Sequence, residues 1–126
     1  MSHIQFRCVE CEAATPADAY TLRCRQCRSP LDVDYTHGVG PTLTGELPGL
    51  WASQARFPLH DSANVVSLGE GHTPTVRLDR LGARLGLGAL YAKLESQSPT
   101  ASFKDRGATV LVSMLKEAGV REVVED

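Results

Sequence analysis

Ser98-Pro-Thr-Ala-Ser-Phe-Lys-Asp-Arg-Gly107 places one lysine, Lys104, where an extended segment gives way to a helix. A lysine there is poorly placed as a structural cation, because a helix N-terminus is the positive end of the macrodipole. Hydroxyls (Thr100, Ser102), an aromatic ring (Phe103) and a guanidinium (Arg106) surround it. The other two lysines occupy ordinary exposed settings, Lys93 in an alternating strand pattern and Lys116 near a helix end. Lys104 therefore stands apart as a candidate Schiff-base amine. The plainer reading, a solvated surface lysine, is the alternative that composition and periodicity alone leave open.

Working outward, Ala89 to Glu95 reads as a strand, and Thr100 or Ser102 can cap a helix running to Ala118. Asp105 stands three residues after Ser102, in capping-box position. Apolar residues cover much of that helix (Ala108, Val110, Leu111, Val112, Met114, Leu115), which predicts burial on most sides. Gly119 ends it, and Glu122 to Glu125 reads as the next strand. Strand, helix, strand makes a βαβ unit and predicts a parallel sheet. Upstream, Leu78, Leu81 and Leu85 recur at helical spacing before Gly86 and Gly88. Leu50-Trp51-Ala52 predicts one helical turn with Trp51 as a packing anchor, and Val65-Val66 is strand-like. The turn-rich stretch from Thr36 to Gly49, with two prolines and four glycines, reads as a linker or covering loop.

The first 36 residues form a second unit, with β-like pieces at Ile4–Arg7, Tyr20–Arg23 and Leu31–Tyr35. Cys8-x2-Cys11 and Cys24-x2-Cys27 are two pairs that can each turn both thiolates onto one ion, completing a closed tetrahedral zinc site. A closed site leaves no position for substrate, so the metal is read as structural. Disulfides or unconnected thiols are the alternatives. Arg7, Arg23, Arg25 and Arg28 flank the cysteines and would offset the negative charge of such a centre. Read instead as a nucleic-acid patch they are weak, since Glu10, Glu12 and Asp18 are interleaved with them.

Composition excludes several classes. With 42% hydrophobic residues, 22% charged residues and a net charge of −2, the chain has neither a disordered composition nor a nucleic-acid- or membrane-seeking charge. No apolar run approaches the roughly 20 residues that span a bilayer. Met-Ser-His-Ile-Gln-Phe-Arg lacks the apolar core of a secretory signal. A cytoplasmic location follows as the expectation, and there cysteines serve as metal ligands more often than as disulfides.

The motifs together resemble the threonine synthase family. Val66-Ser-Leu-Gly-Glu-Gly-His-Thr-Pro74 is similar to its leading L-G-E-G-x-T-P segment, and Leu90-Tyr-Ala-Lys-Leu-Glu95 to its strand before the active lysine. Ser98 to Gly107 resembles its cofactor motif, and Val123-Val124-Glu-Asp126 the strand leading to its next active-site loop. An N-terminal zinc ribbon and a Gly-Leu-Trp segment occur in one branch of the family. The resemblance implies an α/β fold: a zinc ribbon (1–36), a linker and covering segment (37–65), and the first part of a fold type II pyridoxal-phosphate enzyme with a parallel sheet (66–126). It implies that Lys104 carries pyridoxal phosphate beside Phe103, with Thr73 and Ser102 as candidate substrate-side contacts and zinc on Cys8, Cys11, Cys24 and Cys27. The implied reaction converts O-phosphohomoserine, an amino-acid phosphoester, to threonine and phosphate. The expected partner is thus a small molecule, with neither nucleic acid nor membrane, and self-association into a homo-oligomer is open.

The sequence departs from the family at Ser98 and His72, where Asn is common, at Ala101, where Gly is frequent, and at Thr75, where an aliphatic residue is usual. Threonine and serine dehydratases and cysteate synthases share parts of the lysine motif and are alternatives. A stand-alone zinc-ribbon binding module and an inactive remnant are others. The family's loops for the cofactor ring and phosphate would lie beyond Asp126, so residues 1–126 alone are expected to be inactive, to bind the cofactor poorly and to self-associate.

Overall fold

The computed structural model of the chain describes residues 4–35 and 47–124. Residues 37–46 of the expected linker and covering segment (37–65) and the expected strand residues 125 and 126 lie outside the described residues.

The N-terminal unit is a three-stranded antiparallel sheet in the order β2-β1-β3, made of β1 (Ile4–Cys8), β2 (Ala14–Pro16) and β3 (Leu31–Tyr35). Register pairs Phe6 with Thr15 on one side and with Val33 on the other. The strand expected at Tyr20–Arg23 is absent and Ala14–Pro16 takes its place. The reason is local. The Asp18 carboxylate accepts the amides of Tyr20 (2.7 Å) and Thr21 (2.6 Å) and the Thr21 hydroxyl (2.8 Å), closing a turn that consumes the amides a ladder would need. Across β1 and β3, Asp34 gathers Arg7 and Gln5 at 2.6–2.9 Å.

The second part contains β4 (Thr75–Arg77), α1 (Asp79–Arg84), β5 (Tyr91–Lys93) and α2 (Asp105–Glu117), with short 3-10 helices at Gly49–Arg56, Ser62–Asn64 and Glu95–Gln97. β4 and β5 pair antiparallel, Val76 opposite Ala92. Bonds from Leu78 N to Leu90 O and from Leu94 N to Pro74 O prolong the ladder at both ends. The parallel sheet expected from the βαβ pattern is therefore not formed among the described residues. β5 follows α1 back onto β4, and the residues after α2 find no strand to pair with, Val124 being 91% exposed.

α2 corrects the sequence reading in an instructive way. Its start is not capped by Ser102 or Thr100; the Asp105 carboxylate reaches back instead and accepts the Thr100 amide (2.8 Å) and hydroxyl (2.5 Å). Its buried face is polar: Asp105, Thr109 and Ser113 are buried, whereas Leu111 and Val112 are about half exposed. Each buried side chain serves a main-chain group elsewhere. The Thr109 hydroxyl donates to Val66 O (2.5 Å) and accepts the Trp51 indole N–H (2.9 Å). Ser113 Oγ accepts the Val66 amide (2.9 Å). One turn on, Glu117 accepts the amides of His60 and Asp61 (2.7–3.2 Å) and meets the His60 ring at 3.0 Å. Side chains of the helix thus saturate Val66 on both its backbone groups, which is why Val65-Val66 needs no strand partner.

Trp51, 1% exposed, packs edge-on against Phe57 and anchors the Gly49–Arg56 helix to this seam, the packing role expected of it. The segment before it approaches 69–72 backbone to backbone, with Leu50 N on Glu70 O at 2.7 Å. Two glycines permit this. A Cβ on Gly49 (φ +66) would stand 2.1 Å from Glu70 O, and one on Gly71 (φ +103) 2.5 Å from Leu50 N.

Thr109→Val tests the seam. It keeps the shape of the side chain but strands the buried indole N–H, which costs roughly 1–3 kcal/mol. Denaturant unfolding should show that loss together with a changed Trp51 emission; an unaltered midpoint would contradict it.

Candidate active site and metal centre

Lys104 sits at the first position before α2, its side chain exposed and its amine without a hydrogen-bond partner among the described residues. The loop that presents it is held from below. Ala101 takes a left-handed conformation (φ +59), enforced by Asp105 gripping Thr100 on one side and by the Ala101 N to Ser98 O turn bond (2.8 Å) on the other. Ser102 Oγ accepts the Lys104 amide at 3.2 Å, so it orders the turn. The Phe103 ring, 67% exposed, lies beside the amine in sequence and makes no ring contact among the described residues. Ser98 is buried, and its hydroxyl has no partner among the described residues.

A second grip fixes the helix start against the strand. Arg106 forks onto Glu95, Nε to Oε2 at 2.7 Å and Nη2 to Oε1 at 2.8 Å, in the bidentate geometry that suits a guanidinium. Nη2 also reaches Thr73 Oγ1 (3.3 Å) and Gly71 O (3.5 Å). Thr73 is buried and donates its hydroxyl to Glu95 at 2.7 Å, while Lys93 Nζ donates to the Thr73 carbonyl. The Arg106 guanidinium, with the Thr73 hydroxyl second, holds the Glu95 carboxyl down at about 2, against an ordinary value of 4.5. Thr73 thus has both hydroxyl functions engaged in the clamp. His72 Nε2 accepts the Gly49 amide at 3.1 Å, a local bond. Arg106 is the residue that sequence reasoning undervalued; its spacing of two from Lys104 was visible, but its partner Glu95 lies eleven residues back.

The four cysteine sulfurs lie within 4.8 Å of one another, Cys8 and Cys24 buried, Cys11 and Cys27 exposed. Each pair ends in the same turn. Glu12 N bonds to Cys8 O and Cys8 N to Ala13 O; Arg28 N bonds to Cys24 O and Cys24 N to Ser29 O. Glu12 (φ +58) and Arg28 (φ +68) supply the matching left-handed residues. Amides of Glu10 and Cys11 point at Cys8 Sγ (3.4 and 3.5 Å), and that of Gln26 at Cys24 Sγ (3.4 Å), an environment made for thiolates. The Ser29 hydroxyl and amide pull Cys27 down to about 6. Although the Ala13 amide favours the Cys11 thiolate, the surrounding Cys27, Cys8 and Cys24 sulfurs push that thiol up to about 12. Four thiols this close cannot all ionise without a cation among them, so the donor set fits a thiophilic divalent metal. Three of the four flanking arginines are engaged locally: Arg7 with Asp34, Arg23 with Arg28 O and Arg25 with Thr21.

The profile of the family described as "Pyridoxal-phosphate dependent enzyme" matches residues 66–126, the part that contains β4, β5, the clamp and Lys104. That match covers 61 of the 126 residues. Across nearly its whole length the chain is similar to threonine synthases. It is 36% identical to that of Methanosarcina acetivorans and 35% identical to that of Methanocaldococcus jannaschii, each over 93% of this chain. A third, from Halalkalibacterium halodurans, is 40% identical over 54% of the chain and 19% of its own length. The chain spans 29% and 30% of the length of the first two relatives, and its likeness is to their N-terminal part. No solved structure matches the chain significantly. Among the described residues, no helix is long and apolar enough to cross a membrane. The residues present fit the family's cofactor in one respect: an exposed primary amine on a braced loop, without a hydrogen-bond partner among the described residues, is free to meet an aldehyde, and its sequence neighbour Phe103 is exposed.

The Glu95 clamp has a definite pH signature. Because its carboxyl is held below the ordinary value, the stabilisation it gives is complete above pH 4.5 and is lost as pH falls toward about 2. The stability difference between the unaltered chain and Glu95→Gln should be constant above pH 4.5 and shrink as pH falls from there toward about 2. A pH-independent difference would rule out the clamp.

Proposed function

We propose that the chain is the N-terminal part of a threonine synthase, a pyridoxal-phosphate-dependent lyase converting O-phosphohomoserine and water to threonine and phosphate. The observation that carries this reading is Lys104, a free amine on a loop held by two independent clamps, inside the stretch that matches the pyridoxal-phosphate dependent enzymes. Likeness to threonine synthases over 93% of the chain supports the substrate. When bound, pyridoxal phosphate supplies the electron sink that stabilises negative charge on substrate carbon.

The chain's own residues have the remaining tasks. Lys104 Nζ would hold the cofactor by its aldehyde, and the same amine, when free, is placed to take up and return protons at substrate carbons. Phe103 offers the cofactor an apolar face. Ser102 stands on the substrate side of Lys104 and keeps its turn in register, and Thr73 acts there through the clamp that its hydroxyl completes. Asp105 and Arg106 keep the loop that carries Lys104 fixed, so that little backbone ordering remains to be done when substrate arrives. Since Lys104 and Phe103 are exposed, water reaches the amine freely, and residues 1–126 by themselves hold the cofactor weakly and turn over no substrate.

The metal is zinc with a structural role, held by Cys8, Cys11, Cys24 and Cys27. All four ligands are protein sulfurs, so no position is left for substrate.

Borohydride reduction of the full-length enzyme with pyridoxal phosphate should place the phosphopyridoxyl label on Lys104, with threonine and phosphate released from O-phosphohomoserine before reduction. Label on another lysine, or 2-oxobutanoate as the product, refutes the assignment. Metal analysis should find zinc, and Cys8→Ser should lose it and unfold the first unit, as metal-linked folding requires; a metal-free protein with an intact first unit contradicts the zinc reading.

A further inference from the structure

Tyr20 lies in the span between the two cysteine pairs, yet its hydroxyl donates to the Ala118 carbonyl, 98 residues away, at 2.7 Å. That carbonyl closes α2. The final carbonyls of a helix have no partner within it. At this end, Gly119 N bonds to Lys116 O and Val120 N to Leu115 O through a left-handed Gly119 (φ +76), and Ala118 O is left to Tyr20. Around the contact Ala17, Tyr20, Pro58, His60, Met114 and Ala118 line a groove of about 230 Å³ between the first unit and the helix.

We infer that Tyr20 is a positioning residue through which metal in the cysteine centre sets the C-terminal end of α2, the helix that carries Lys104 at its start. The inference rests on the reading of the four cysteines as a metal centre. Tyr20 is presented by the Asp18 turn, and that turn is tied down at both ends by the centre. Cys11 precedes it and Cys24 follows it. Among the described residues the buried apolar side chains of the first unit are Ile4, Cys8, Ala17 and Cys24, so two of the four are metal ligands. A unit whose core is half ligand has little apolar packing to hold its shape when the metal leaves. Loss of metal then frees Tyr20, the cap on Ala118 opens, and the adjoining Glu117 bonds to His60 and Asp61 loosen at the same helix end.

The chain's two methionines make the test direct. Met114 lines the groove and the other methionine is the first residue of the sequence, so methyl-labelled methionine gives a reporter at the contact in a two-signal spectrum. In the zinc-loaded chain, removing the metal with a chelator should shift and broaden the Met114 methyl resonance. In Tyr20→Phe, which keeps the ring and the zinc content, the resonance should start displaced and respond little to the chelator. Asp18→Ala, which loosens the turn while leaving the hydroxyl in place, should behave in the same way. A Met114 signal indifferent to metal in the unaltered chain, or a full response in Tyr20→Phe, overturns the inference. A chain that takes up no zinc in metal analysis removes the metal reading, and this inference with it. None of these readouts involves the cofactor, so they stand apart from the test of Lys104.

Discussion

Asp105, Thr109, Ser113 and Glu117 stand four residues apart on one side of α2, and each ends on a main-chain group outside the helix. Residues four apart share a helix face, so the four form a continuous polar seam. The segments that dock on it (Trp51, His60–Asp61, Val66 and Thr100) belong to neither sheet. Buried or half-buried backbone without a ladder must find donors and acceptors somewhere, and here the helix provides them. The packing of the second part therefore depends on hydrogen bonding along a helix more than on an apolar core, which among the described residues there consists of Trp51 and Leu59.

That arrangement explains how one helix can serve both ends of the chain. At its start the seam fixes the turn that presents Lys104, with Arg106 locking the same turn onto Glu95 and Thr73. At its finish Glu117 and the Ala118 carbonyl engage His60 and Tyr20. Between them the Gly49–Arg56 helix is drawn in by the Trp51 indole and by glycine-permitted backbone contact at Gly49 and Gly71. The opposite face of α2, with Leu111 and Val112, stays exposed among the described residues.

Much of this was legible in the sequence, unevenly. Local signals transferred well: the cysteine pairs come together, Gly119 ends α2, Trp51 is a packing anchor, and β1, β3, α1 and β5 lie where their patterns put them. Lys104 was visible because its neighbours are unusual for a lysine. What failed depended on partners distant in sequence. The apolar residues of α2 predict burial on most sides, and the structure corrects this: Leu111 and Val112 are exposed and the buried face is polar, because Thr109 and Ser113 bond to Val66, 43 and 47 residues away, and hydrophobic periodicity carries no trace of that. The strand at Tyr20–Arg23 failed for the opposite reason, a side chain three residues or fewer away capturing the amides first. The parallel sheet was inferred from element order, and order alone does not say which strand β5 will pair with.

Amide hydrogen exchange at His60, Asp61, Val66 and Thr100 examines the seam most directly, since each of these N–H groups donates to a side chain of α2 and to no ladder. If the seam organises the fold, these amides exchange as slowly as the central amides of α2 itself and lose protection together when Thr109 or Ser113 is altered. Exchange at the rate of an open loop, with α2 still protected, would show that the helix stands without the segments it is held to organise.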